Sequence, residues 1–405
     1  MSERLRETTM TGTGLPLDGV RVVEMTHMVM GPTCGMILAQ LGAEVIKVEP
    51  PAGDKTRSLG GMGTSFFPLF NRGKRSVVLD FASAEDRETM HLLLASADVF
   101  LENFRDGQLE KQGLGAEELR RRHPHLIVAG HKGFLSGPYE HRPALDEVVQ
   151  MMSGLAAMTG TRDKPQRVGS SANDIMGGMF GTIAILAALY QKRGGANAAD
   201  KGTDIRIGLF ENCLFLVAQH MVEYEMTGNR PRSMPEREHA WPIYDIFETA
   251  GGERIFIGVV TEGHWQSFCR EFGLSEFLDD PALLTTTDRI LARSKIIPRV
   301  AEVIKNWNTA DLSATLDRLN ICFSPINRPE DLFSDPHVLR PGGLVNNINA
   351  NGEPFRVPAL PIQWNGMSIG EGLKVPPLGA DTSAVRAELE GLTFSPPGKT
   401  AARLA

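Results

Sequence analysis

Short apolar runs alternate with longer amphipathic stretches over the first third of the chain. The runs at 19–24, 43–49, 76–80, 98–102 and 125–130 read as strands, and the stretches at 33–41, 84–97 and 114–122 as helices. Gly42 closes the first helix where a left-handed cap is common, and Pro50 and Pro51 stop the second strand. Strand–helix–strand repetition of this kind builds a doubly wound parallel sheet with helices on both faces. Its strands are expected to be near-continuously apolar.

Beyond residue 144 the pattern turns mainly helical. Helices are expected at 144–154, 174–192 and 209–227, with one strand at 203–207. The helix beginning near 174 is apolar enough to be deeply buried. A glycine-rich connection covers 194–202, and the stretch 228–238 is rich in Arg, Pro and Glu. Two strand-like runs around Gly251 and Gly252 predict a hairpin over 244–260, followed by helix over 265–319. The expected architecture is α/β: a large Rossmann-like domain over 15–225, a linker at 226–236 and a smaller α+β domain at 237–326. Residues 327–405 return to the large domain, and residues 1–14 form a flexible lead.

Composition narrows the function. The chain has 405 residues, 42% of them hydrophobic, which supports more than one core. A formal net charge of −7 argues against a general nucleic-acid binder. The first residues are polar, without the apolar segment of a secretory signal, and apolar stretches such as 183–190 are too short to span a bilayer. A cytoplasmic protein with no membrane role is expected. Cys34, Cys213, Cys269 and Cys322 form no CxxC pair, which fits reduced structural thiols and calls for no metal.

Asp174 carries the chemistry. Ser170, Ser171 and Asn173 are all good N-cap residues, so Asp174 falls in the first turn of the apolar helix. There the helix dipole and free backbone N–H groups favour an anion. Such a carboxylate is either a helix-stabilising charge or, partly dehydrated, a nucleophile toward an activated acyl group. Gly178 and Gly181 follow on the same face, where a thioester arm or a neighbouring helix can approach closely.

The chain resembles the class III CoA-transferases, the CaiB/BaiF or formyl-CoA transferase family, from about Leu15 to Thr382. The segments that carry the resemblance are LDGVRVVE at 17–24, GP at 31–32, LGAEVIKVE at 41–49, NRGKRS at 71–76, ADVFLENF at 97–104, KGFLSGP at 132–138, the Asp174 segment, KGTDI at 201–205 and LGADT at 378–382. The resemblance implies that Asp174 is the covalent nucleophile. It also implies that a coenzyme A thioester is the substrate, with no tightly bound cofactor and no metal. By position it implies CoA contacts at Val29, Met30, Leu79, Asn103, Phe104, Arg105, Lys111 and Lys132, with Phe134 beside the thioester. It further implies an interlocked homodimer. His27, after the first strand, is a candidate for lining the CoA site, and Arg142 either clamps a second carboxylate or forms a surface ion pair.

Three departures set this chain apart. Pro50 stands where formyl-CoA transferase has an arginine, Phe134 where many members have tyrosine, and GVVTEGHW at 258–265 where some relatives carry a run of glycines. The expected reaction moves CoA from an acyl-CoA, succinyl-CoA by preference, to a small dicarboxylate such as itaconate, mesaconate or citramalate. The alternatives are an α-methylacyl-CoA racemase on the same fold and a non-catalytic CoA-binding partner subunit. A racemase needs a histidine paired with Asp174, for which His131 is the nearest candidate.

Overall fold

The alternating runs form a six-stranded sheet in a computed structural model that describes residues 14–194, 202–237 and 239–393. In chain order the elements are β1 (Arg21–Met25), α1 (Met30–Gln40), β2 (Glu44–Glu49), α2 (Phe66–Asn71), β3 (Arg75–Val78), α3 (Ala84–Ala95) and β4 (Val99–Glu102). There follow α4 (Ala116–Arg122), β5 (Ile127–Lys132), α5 (Asp146–Met152), α6 (Leu155–Thr159), α7 (Ala172–Arg193), β6 (Asp204–Gly208) and α8 (Leu209–Thr227). The lead expected at 1–14 and the connection expected at 194–202 lie, except at their edges, outside the described residues.

All pairings in this sheet are parallel, in the order β3-β2-β1-β4-β5-β6. The direction of winding reverses between β1 and β4, and ligand sites of doubly wound sheets open there, outside the carboxyl ends of the strands. Successive strand residues face opposite sides. Val22 therefore enters a core with Leu38, Val45 and Ile185, while Val23 enters another with Ile46, Met90 and Phe100.

Four details correct the sequence reading. The helix expected at 144–154 is α5, and after it Gly154, at φ 87°, turns the chain into α6, a helix that was not expected. Helix α2 was not expected. The strands are not apolar throughout: Glu24, Lys47 and Glu49 are at most 1% exposed, each charge paired inside the sheet layer. Helix α7 is buried on one face only. Its length and apolarity would suffice to cross a membrane, yet Gly178, Gly181 and Ile185 pack inward while Ile183 and Tyr190 are 59% and 79% exposed.

The chain forms two compact units, one of residues up to Pro235 together with those from Leu339 on, the other Glu236–Val338. The smaller unit has an antiparallel sheet of β7 (Ile243–Glu248), β8 (Arg254–Val259) and β9 (Cys322–Pro325). Helices α9 (Glu262–Glu271), α10 (Thr286–Leu291), α11 (Arg293–Ile304) and α12 (Thr309–Arg318) bury Trp265, Phe268, Ile296 and Leu312 against it. In the larger unit the chain ends in two short hairpins, β10 (Leu344–Ile348) with β11 (Pro354–Pro358) and β12 (Gln363–Trp364) with β13 (Met367–Ser368), and then α13 (Thr382–Thr393). Helix α13 drives Val385 and Leu389 into the core beside α3, and Asp381 accepts the Ser76 backbone N–H at 2.9 Å.

Candidate active site

Helices that feed a parallel strand begin at the carboxyl edge of the sheet. Helix α7 precedes β6, so its first turn, with Asp174, stands at the edge where the β1 and β4 loops emerge. Ser171 occupies the N-cap but its hydroxyl makes no capping bond. The backbone N–H of Asp174 instead faces the Asp146 carboxylate, whose acidity it raises.

Asp174 is held up to about 7, first by burial and then by the negative charges of Asp146 and Glu147. The helix dipole acts in the opposite sense. Loss of water and two neighbouring carboxylates outweigh it. Asp146 is 6% exposed and its own carboxyl is also raised, chiefly by burial. One of its oxygens accepts Gln150 Nε2 at 2.6 Å, while Oδ1 is buried without a hydrogen-bond partner. Gln150 in turn accepts the Val168 N–H at 2.9 Å.

Asn173, fully buried, ties the head of α7 to α8. Its amide donates to the Leu209 carbonyl at 3.0 Å, and Asn212 donates to the Asn173 carbonyl and side-chain oxygen at 2.6 and 2.7 Å. Sequence reasoning weighed Asn173 only as a cap and did not single out Asp146, Gln150 or Asn212 for the site. The available signal was polarity at core-facing positions of otherwise apolar helices.

The glycine face of α7 receives a helix. A Cβ on Gly178 would stand 2.6 Å from Thr33 Cβ and 2.7 Å from the Met30 carbonyl, both on α1. Met30 lies against Gly177, and His131 of β5 lies under Gly181 with its pKa pressed down to about 4 by burial. Close approach at these glycines thus serves packing of α1 and β5 on the helix that bears Asp174.

The other predicted residues divide into two groups. His27, Asn103, Phe104, Arg105 and Lys132 gather at the β1–β4 switch. Asn103 accepts the His27 N–H at 3.0 Å and donates to its carbonyl at 2.8 Å, and the His27 and Phe104 rings are 5.7 Å apart. Lys132 pairs with Glu102 at 2.8 Å and donates to the Phe104 carbonyl at 2.9 Å. Glu102, Arg105, Asp106 and Lys132 line one shallow pocket. The second group is spent elsewhere. The side chains of Val29, Leu79 and Phe134 are buried in the core, so Leu79 offers a ligand only its backbone. Lys111 stands exposed on a short 3-10 turn. Arg142 stacks over Tyr139 at 4.8 Å, and Glu140, a possible ion-pair partner, is taken by Arg206 at 2.8 Å.

The chain belongs to CoA-transferase family III, whose model matches residues 17–382. It is 31% identical over 373 residues to a succinyl-CoA–D-citramalate CoA-transferase of Chloroflexus aurantiacus, covering 88% of this chain and 92% of that one. It is 31% identical over 388 residues to a succinate–glutarate CoA-transferase of Agrobacterium fabrum, covering 93% and 96%. Among solved structures, a CaiB/BaiF family protein from Brucella suis superposes with TM-score 0.82 at 33% identity, over 93% of this chain and 99% of that one. The protein is therefore an enzyme of the CoA-transferase class.

Proposed function

We propose that this enzyme moves CoA from an acyl-CoA, succinyl-CoA by preference, to a small carboxylic acid of the itaconate, mesaconate or citramalate kind, with Asp174 as covalent nucleophile. The observation that carries the reading is the condition of Asp174. It heads α7 with its carboxyl raised to about 7 by burial and by two carboxylates. A carboxylate short of water and of a counter-charge keeps its electron pair available for attack.

The steps balance as acyl exchanges. An Asp174 oxygen attacks the thioester carbonyl, and collapse of the tetrahedral oxyanion expels CoA thiolate and leaves a mixed anhydride. The thiolate attacks the aspartyl carbonyl and expels the donor acid, giving an aspartyl-CoA thioester. The acceptor carboxylate attacks that thioester and the same exchange runs in reverse onto the acceptor. Backbone N–H groups at the head of α7 are suited to stabilise the oxyanions, and water must be kept out to protect the anhydride. The substrates of the Chloroflexus and Agrobacterium relatives support the choice of short dicarboxylates. His131 supports transfer over racemisation, because it packs against α7 at Gly177 and Gly181 and is not among the charges that act on Asp174.

The reading extends to assembly as a homodimer and to a place in the cytoplasm. The support for the dimer is the uncovered apolar face of α7 and α8, where Ile183, Tyr190, Phe215 and Met226 are 59–81% exposed. The test of function is to incubate wild type and Asp174→Ala with succinyl-CoA and a panel of carboxylic acids and to follow acyl-CoA species by mass spectrometry. New acyl-CoAs with wild type alone are expected. Exchange of the α-hydrogen of a 2-methylacyl-CoA with deuterium, without transfer, would replace the reading with a racemase.

A further inference from the structure

Four buried charges lie under the turn that joins β1 to α1. Glu24, Lys47, Asp54 and Lys74 are at most 8% exposed. Glu24 pairs with Lys74 at 2.8 Å and with Lys47 at 3.7 Å, and Lys47 pairs with Asp54 at 2.9 Å. Two positive and two negative groups cancel. A buried cluster of this kind is weak evidence for stability, because desolvation offsets most of the attraction. Its hydrogen bonds to the backbone point to another use.

Both lysines grip the chain. Lys47 Nζ donates to the Thr26 carbonyl at 2.7 Å, and Lys74 Nζ donates to the Pro32 carbonyl at 3.0 Å. Glu24 also accepts the Thr26 hydroxyl at 2.6 Å. Between those two carbonyls Met28 adopts φ 65°, a left-handed conformation that costs a non-glycine residue energy and persists only where its surroundings fix it. Asn103 holds the same turn from β4 through the His27 backbone. The turn ends in Met30, which packs on Gly177 and Gly178, within a helical turn of Asp174.

We propose that Lys47 is a positioning residue for acyl transfer: by holding the Thr26 carbonyl it keeps the strained turn, and with it Met30 and the first turn of α7, in register. The inference rests on Asp174 being the nucleophile. Without Lys47, Thr26–Val29 can relax toward an unstrained turn and carry Met30 with it. A displacement of about 1 Å at a reacting group is enough to cost on the order of a hundredfold in rate.

The test compares Asp54→Asn with the double variant Lys47→Met/Asp54→Asn in the full-length protein. The single change leaves the bond from Lys47 to Thr26 in place. The double change removes that bond while the remaining Glu24 and Lys74 still balance, so the double variant is expected to fold. Asp54→Asn should keep kcat within about twofold of wild type. Adding Lys47→Met should lower kcat by about thirtyfold or more, with KM for succinyl-CoA within about threefold. Amide deuterium exchange should quicken at 26–33 and 172–178 in the double variant but not in the single one. The proposal is overturned if the double variant exchanges like the single one, or turns over like it while Asp174→Ala is inactive. If wild type transfers nothing, the role of Asp174 falls, while the exchange measurement still decides whether Lys47 holds the turn.

Discussion

Replacing Asp174 by Asn should abolish transfer and stabilise the protein, and the stabilisation should appear only as the pH rises. The folded state holds this carboxyl at about 7 against an ordinary 3.8. Between those values the folded chain binds a proton that the unfolded chain has released, so stability falls as pH rises through that window. At about 1.4 kcal/mol per pH unit the full penalty above pH 7 is about 4 kcal/mol. Asp174 retains some solvent contact, and screening reduces the expected effect to about 2 kcal/mol. Asparagine matches the shape of the neutral acid and carries no such penalty. Thermal unfolding of both proteins from pH 4 to 8 should give closely similar Tm values at pH 4, a gap that widens steadily from there to pH 7, and Asp174→Asn about 2–3 °C higher at pH 8. A Tm difference that is the same at every pH would refute the claim that ionisation of Asp174 strains the fold.

Three further outcomes follow from the same geometry. If the attacking group is the Asp174 carboxylate, as proposed, kcat should rise with pH and level off above about 7, the value to which Asp174 is held; a profile flat from pH 5.5 to 8 would exclude that group as the titrating nucleophile. Gly178→Ala places a methyl 2.6 Å from Thr33 Cβ and 2.7 Å from a backbone carbonyl, so α1 and α7 must part, at a cost of about 1–3 kcal/mol in urea unfolding and with loss of transfer. Phe215→Glu combined with Met226→Glu puts charge on the uncovered face of α8, and sedimentation should find wild type as the proposed dimer and the variant as monomers; a dimer unchanged by the two substitutions would move the interface elsewhere.

Much of the fold was legible along the chain because it rests on local periodicity. Runs such as Val22–Val23 and Val45–Ile46 alternate with amphipathic stretches, and that alternation has few solutions other than a wound parallel sheet. The position of Asp174 in the first turn of α7 was legible for the same reason, since cap residues and the apolar run are neighbours in sequence. What helices α5 and α7 do next was not legible. The end of α5 before Gly154 was legible, but the short helix α6 that follows it was not.

The charges inside β1 and β2 had a visible signal, since Glu24, Lys47 and Glu49 interrupt apolar runs. Their meaning was hidden, because their partners come from Asp54, Arg57 and Lys74 on separate segments. The same holds for the glycines of α7. The sequence left open whether a ligand or a helix approaches them, and the packing of α1 answers it.

Most of the elements, their winding and the nucleophile candidate were thus legible, because they depend on residues close together in the chain. The remainder came from contacts between distant segments. The tertiary structure buried Asp174 and set Asp146 and Glu147 near it, which together hold its carboxyl up to about 7, fastened Asn103 to the backbone of His27, and sank Leu79 and Phe134 into the core. Charge interaction, desolvation and close packing act through distances in space, and those distances exist only once separate segments have been folded against one another.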